Sequence, residues 1–100
     1  MIAIDQIREI TTALNGVEEG VHFKLPTFKV NGKGFMTVQK DAIILATPQA
    51  LSEALVESEP NKYGMVWRNG QYFVGIKVNS PAVGIDELKP LIGEAYRNRA

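Results

Sequence analysis

The chain opens on apolar residues at helical spacing. Ile4, Ile7, Thr11 and Leu14 share one face, with Ile10 beside them, and predict a helix over 2–14. Asn15-Gly16 ends it, because both residues tolerate the left-handed conformation of a helix C-cap. Alternation follows: Val21, Phe23 and Leu25 against His22 and Lys24 predict a half-buried strand. Pro26 lacks a backbone donor, so this strand is expected to be short or to lie at an edge. Phe28 and Val30 resume the apolar side opposite Thr27 and Lys29, and Asn31-Gly32 predicts a hairpin because both residues accept positive φ. Two registers are open for the return strand over 34–39. A two-residue turn pairs Phe28 with Phe35. A three-residue loop ending at Lys33 pairs Phe28 with Met36 and turns Met36 and Val38 inward, and this is the preferred reading. Lys40-Asp41 turns the chain again into a strand over 42–46.

Thr47 is the expected N-cap of a second helix, with Pro48 at its first position. Leu51, Ala54, Leu55 and Ser58 fall on its apolar face, and Pro60-Asn61 ends it. Residues 63–67 read as a strand, and Asn69-Gly70 repeats the hairpin chemistry. The return strand over 71–78 alternates through Tyr72, Val74, Ile76 and Val78. A loop containing Pro81 leads to a last helix with Asp86 as its expected N-cap and Leu88, Leu91, Ile92, Ala95 and Tyr96 as its stripe. Pro90, about one turn in, removes a helical hydrogen bond and predicts an irregular start. The order α-β(4)-α-β(2)-α with two hairpin-containing segments predicts an α+β fold. An antiparallel sheet carries the helices packed on one face.

Composition narrows the chemistry. One hundred residues with 45% hydrophobic content read as a single domain, 1–100. The absence of cysteine excludes disulfides and zinc–thiolate sites, and a single histidine argues against any transition-metal centre. The longest apolar run, 42–46, is too short for a bilayer, and Asp5, Arg8 and Glu9 within the first ten residues do not read as a secretory leader. The expectation is a cytoplasmic protein with no cofactor, no metal and no membrane contact.

Charge is balanced overall, with 11 basic and 11 acidic residues, but unevenly spread. Residues 20–40 hold Lys24, Lys29, Lys33 and Lys40 and no acid; residues 60–85 hold Lys62, Arg68 and Lys77 and no acid. The acids concentrate on the helices and turns. One sheet built from both regions would present a positive solvent face to an anionic partner. Lysines on exposed strands also block edge-to-edge pairing, so the same pattern serves sheet protection.

Catalytic patterns are weak. His22 has no carboxylate at a spacing that would orient it as a general base. Gly32-Lys33-Gly34 lacks the glycine pattern and following hydroxyl of a phosphate loop and lies in a hairpin. Glu18 and Glu19, adjacent on an extended segment, point to opposite faces and are expected to be solvated. Trp67, Tyr72 and Phe73 could stack on nucleic-acid bases, but strand aromatics more often build core, and core is the expectation. No catalytic constellation is present, so the chain is not expected to be an enzyme.

The block Gly16-Val17-Glu18-Glu19, His22-Phe23, Leu25-Pro26-Thr27-Phe28-Lys29-Val30 and Gly32-Lys33-Gly34-Phe35 resembles the core signature of the MmcQ/YjbR family. Trp67-Arg68-Asn69-Gly70 and Tyr96-Arg97 extend the resemblance over about four-fifths of the chain. One departure is Gln71, where many members carry tryptophan after the hairpin glycine. The resemblance implies helix, strands, helix, two strands, helix. It also implies a "double wing" of hairpins that gave members a DNA-binding label, an argument from shape. The family has no agreed enzymatic activity, and secretion chaperones of similar arrangement bind protein segments.

Two readings stay open. In the first, DNA is bound through wings tipped by Lys29, Asn31 and Lys33 and by Arg68 and Asn69, with Lys24 and Lys77 behind them. Four to seven phosphate contacts would then give a slope of log K against log salt of about −4 to −6. In the second, a protein segment or small ligand uses the exposed sheet face or a groove beside His22 and Trp67.

Overall fold

A computed structural model describes residues 2–100. Its elements run α1 (Ile4–Thr12), β1 (Val17–His22), β2 (Leu25–Val30), β3 (Lys33–Val38), β4 (Ala42–Leu45), α2 (Gln49–Ser58), β5 (Tyr63–Arg68), β6 (Tyr72–Asn79) and α3 (Ile85–Arg99), with a short 3-10 turn at Ser80–Ala82. The six strands form one sheet in the order β1-β2-β3-β4-β6-β5, and every neighbouring pair is antiparallel. The α+β class and the order α-β(4)-α-β(2)-α are those expected.

One face of the sheet carries the core. Phe28, Val30, Met36, Ile43, Leu45, Ile76 and Val78 are buried there against Ile7 of α1 and Leu88, Leu91, Ile92 and Ala95 of α3. The stripe on α3 is the predicted one, with Tyr96 partly buried against Phe35. Tyr96 Oη donates to the Asn15 carbonyl and pins the end of α1. The helix is continuous from Ile85 through Pro90, with Gly84 and not Asp86 at the N-cap, so the expected irregular start is absent. Pro90 lies in the second turn and is exposed, where losing one bond does not interrupt a helix anchored by its buried stripe.

Helix α2 departs further. Pro48 occupies its N-cap position, and Thr47 turns inward, its hydroxyl 2.6 Å from that of Ser52. The buried side runs through Ser52, Leu55 and Val56; Ala54 and Ser58 are exposed. A buried serine inverts the apolar assignment, because its hydroxyl is satisfied by Thr47 and by the Pro48 carbonyl at 2.8 Å.

The first hairpin differs most from expectation. Residues 21–25 are not one strand; β1 begins at Val17 and turns back at Phe23-Lys24, both with positive φ, 49° and 66°. Neither residue type favours that conformation, so composition carries no turn signal. Phe23 stands 86% exposed at the tip. Pro26 pairs with Val21, one step beyond the closing pair His22↔Leu25. Closing pairs of two-residue hairpins exchange hydrogen bonds and the next pair does not, so the proline nitrogen faces away from β1. The β2–β3 pairing stops at Thr27, so no donor is needed there.

At Asn31-Gly32 both registers contribute. The turn has two residues, with Val30 opposite Lys33, contrary to the preferred three-residue loop. A bulge between Phe28 and Lys29 then restores the preferred pairing of Phe28 with Met36. Phe35 is the extra residue, and it is buried along with Met36. A bulge thereby places two consecutive bulky side chains in the core, which alternation forbids.

Glu19 is not solvated alone. It receives Arg8 of α1 in a two-pronged contact, Nε at 3.0 Å and Nη2 at 2.9 Å, which ties the helix to the edge strand. The Arg8 hydrogen bond holds the Glu19 carboxyl below its usual range against the opposing effect of burial. A depressed carboxyl stabilises the fold above its unfolded pKa, and the contribution fades as pH falls through the folded value. Glu19→Gln is therefore expected to destabilise the protein at neutral pH, with the difference from wild type vanishing in acid. Urea melts across the acid range check this; a pH-independent difference would contradict it.

Candidate functional site

Strand directions decide which turns share an end of the sheet. β3 leaves the Asn31-Gly32 turn, and β6 leaves the Asn69-Gly70 turn; both are antiparallel to β4, which lies between them. The two turns therefore stand at the same end. There β4 stops at Leu45, so the starts of β3 and β6 project past it as two hairpins with a notch between them. Asn31 and Asn69 each hold φ 53° in these turns.

A cleft of about 360 Å³ occupies this notch. His22, Lys29 and Thr27 line it from the first hairpins, Thr37 and Ile44 form its floor, and Arg68 and Val74 line it from the second. Thr37 and Ile44 alternate with core residues, so the cleft opens on the helix-free face. Arg99, in the last turn of α3, reaches the cleft through the notch beside Ala46. The Asn98 amide donates to the Ala46 carbonyl at 2.8 Å and fixes that end of the helix.

The lining holds His22, Lys29, Arg68 and Arg99 and no carboxylate. Among the described residues, ion pairs engage Arg8, Lys62 and Arg97, and none engages Lys29, Arg68 or Arg99. Arg99 Nε is the one buried side-chain nitrogen or oxygen without a hydrogen-bond partner among the described residues. An unpaired buried donor on a cation is costly, and an acceptor in the cleft would relieve that cost. The two larger clefts mix signs: Glu9 and Asp86 with Lys89 and Arg97 between α1 and α3, and Asp41 with Lys40, Lys62 and Lys77 at the far end of the sheet.

The sequence-derived residues divide accordingly. His22, Lys29 and Arg68 come together, and Lys33, Asn31 and Asn69 are exposed at the adjoining turns. Lys24 occupies the β1–β2 turn at the opposite end, about 20 Å away along β2. Lys77 stands opposite Ile44 of the cleft floor and lines the mixed-charge cleft toward that same end. Lys24 does not stand behind the wings. Trp67 does not line the cleft with His22. It pairs with Phe73 on the face opposite Arg68, rings 5.5 Å apart, and is 46% exposed. Tyr72 is 63% exposed. The expectation that these aromatics build core fails because their hairpin runs past β4, beyond the reach of the helices. A bulge at Val66/Trp67 also shifts the alternation. Arg99 carried no signal in the sequence, since an arginine closing a helix is ordinary there; only the topology brings it to the notch.

The YjbR family model matches residues 12–98. No curated protein and no solved structure matches the chain.

Proposed function

The chain belongs to the YjbR family, and from that premise we propose that it binds the phosphate backbone of DNA in and beside the notch between its two hairpins. The observation that carries this is the acid-free cleft with Lys29, Arg68 and the unpartnered Arg99, in a chain whose acids equal its bases. Guanidinium groups match phosphate oxygens in a two-pronged geometry, and a desolvated one holds an anion more strongly than a solvated lysine does. Carboxylates concentrated on the helices repel a polyanion from that side, so the field orients the encounter. His22 has no carboxylate beside it in the cleft to orient it, which supports binding over catalysis.

Contacts from Lys29, Lys33, Arg68 and Arg99 would release counterions and give a slope of log K against log salt of about −3 to −4. Fluorescence anisotropy with a labelled oligonucleotide between about 50 and 200 mM salt measures it. A protein segment bound on the sheet face would instead give affinity that survives salt. No binding at the lower salt, or a flat slope, overturns the proposal.

A further inference from the structure

Strands β1 and β5 are the two edges of the sheet, and they are built differently. β5 is blunted by the bulge at Val66/Trp67 and by Arg68. β1 has neither device: its six residues pair with β2 without a bulge, and none is proline, lysine or arginine. Glu19, its one charge on the helical side, is already neutralised by Arg8. The end of the strand and its turn expose two apolar side chains, Val21 at 76% and Phe23 at 86%, from which folding of one chain gains little. The hairpin also fixes which backbone groups are free. His22 closes it opposite Leu25, so His22, Gly20 and Glu18 bond to β2, while Val17, Glu19 and Val21 turn their N–H and C=O groups outward.

We propose that this edge pairs antiparallel with the same edge of a second copy of the chain, about a two-fold axis at Gly20. That register opposes Gly20 to itself, Glu19 to Val21 and Glu18 to His22 of the second copy. Glu19 and Val21 both carry outward groups, so they exchange main-chain hydrogen bonds. Glu18 and His22 form the closer, non-bonded kind of pair, in which a carboxylate meets an imidazole N–H donor. Phe23 comes level with Val17 of the second copy, apolar against apolar. Nothing lies within 4 Å of the Cβ position of Gly20, so the axis is unobstructed. The other registers fail. An odd shift opposes outward groups to groups already bonded to β2. An even shift one way sets Glu19 against its own copy; the other way draws the turn residues Phe23 and Lys24, with φ 49° and 66°, into the ladder. One short sequence supplies both halves of each pair, and this selects a second copy over the strand of another protein. The pairing does not depend on the phosphate-binding reading.

Sedimentation velocity of the full chain between about 1 and 500 µM is expected to show a monomer–dimer equilibrium with Kd of about 10 to 100 µM, as suits a small contact. Val21→Pro removes an outward N–H and leaves the β1–β2 hydrogen bonds in place, so it is expected to raise Kd at least about tenfold without moving the thermal melt. The chain has no cysteine, so one introduced thiol reports the register. Non-bonded antiparallel pairs hold their Cα atoms about 4.5 Å apart, within reach of a disulfide. Gly20→Cys is expected to give a disulfide-linked dimer under mild oxidation. Glu18→Cys, whose two copies would stand about 14 Å apart, is not. A monomer at every concentration overturns the proposal. So does a dimer that Val21→Pro leaves intact, or equal cross-linking of the two cysteine variants, because the contact then lies elsewhere.

Discussion

Gly75→Ala is expected to destabilise the protein by about 3 kcal/mol, the largest effect of any glycine-to-alanine change in this fold. A Cβ at Gly75 would sit 1.9 Å from the Leu45 carbonyl oxygen, 2.8 Å from its carbon and 3.0 Å from the Ala46 Cα. All three are backbone atoms, so no rotamer change relieves the clash; β4 itself must move. Its end cannot move alone. Ala46 donates to the Phe35 carbonyl at 2.9 Å and accepts from Asn98 at 2.8 Å, so a shift loosens β3 and the end of α3 together. For a chain of this size, thermal unfolding should fall by roughly 12 to 24 °C. Gly64→Ala is the control: nothing lies within 4 Å of its Cβ position, and its expected effect stays within about 0.5 kcal/mol. Equal melting temperatures for the two variants would show that β4 gives way freely at this contact.

The elements that were legible in the sequence are those whose local signals agree with the tertiary outcome. The stripe on α3, the strand over 42–46 and both asparagine-glycine turns each follow from spacing or from residues that accept positive φ. Failures occurred where a backbone irregularity broke the period. Phe23-Lys24 turns without turn residues, so an alternating pattern that continues across it reads as one strand. The bulge at Phe28/Lys29 satisfies the register of one reading through the turn of the other. Thr47 and Ser52 satisfy each other inside the fold, an arrangement that apolar periodicity has no means of registering.

The candidate site was legible only as a composition. Seven bases without an acid across two segments implied a positive sheet, but not which bases meet. Meeting depends on strand order and on where β4 ends. These bring Lys29 and Arg68 into one cleft, set Lys77 opposite Ile44 of its floor, and send Lys24 to the other end of the sheet. Arg99 joins them from a helix whose C-terminus happens to underlie the notch. The aromatic residues were visible but misassigned, since burial of a strand side chain depends on whether a helix covers that part of the strand.

Charge placement, independent of net charge, is what the second large effect isolates. The double variant Lys29→Glu with Arg68→Glu is expected to lower polynucleotide affinity at least about 100-fold at about 50 mM salt, because two charge-assisted contacts are lost and two repulsions replace them. The salt slope should flatten by about 1.5 to 2. Lys40→Glu with Lys89→Glu changes the net charge equally, at the far end of the sheet and on the helical side. At about 0.1 M salt the screening length is about 10 Å, so those groups exert little force on a ligand in the notch, and affinity should change less than about threefold. Both Lys29 and Arg68 are exposed and neither takes part in an ion pair, so the fold should persist. Lys29 stands opposite Glu18 across β1 and β2, however, and reversing it sets two like charges side by side at a cost of under about 1 kcal/mol. A melt of the double variant separates that cost from lost binding. Equal loss in both double variants would mean that the protein responds to its total charge, and the notch would have no part in recognition. Loss confined to the first pair would locate recognition between the hairpins. Arg99→Gln then tests the notch side of the cleft by itself: it removes a half-buried cation without adding an acid, and a further loss of affinity with an unchanged melt assigns the unpartnered nitrogen to the ligand.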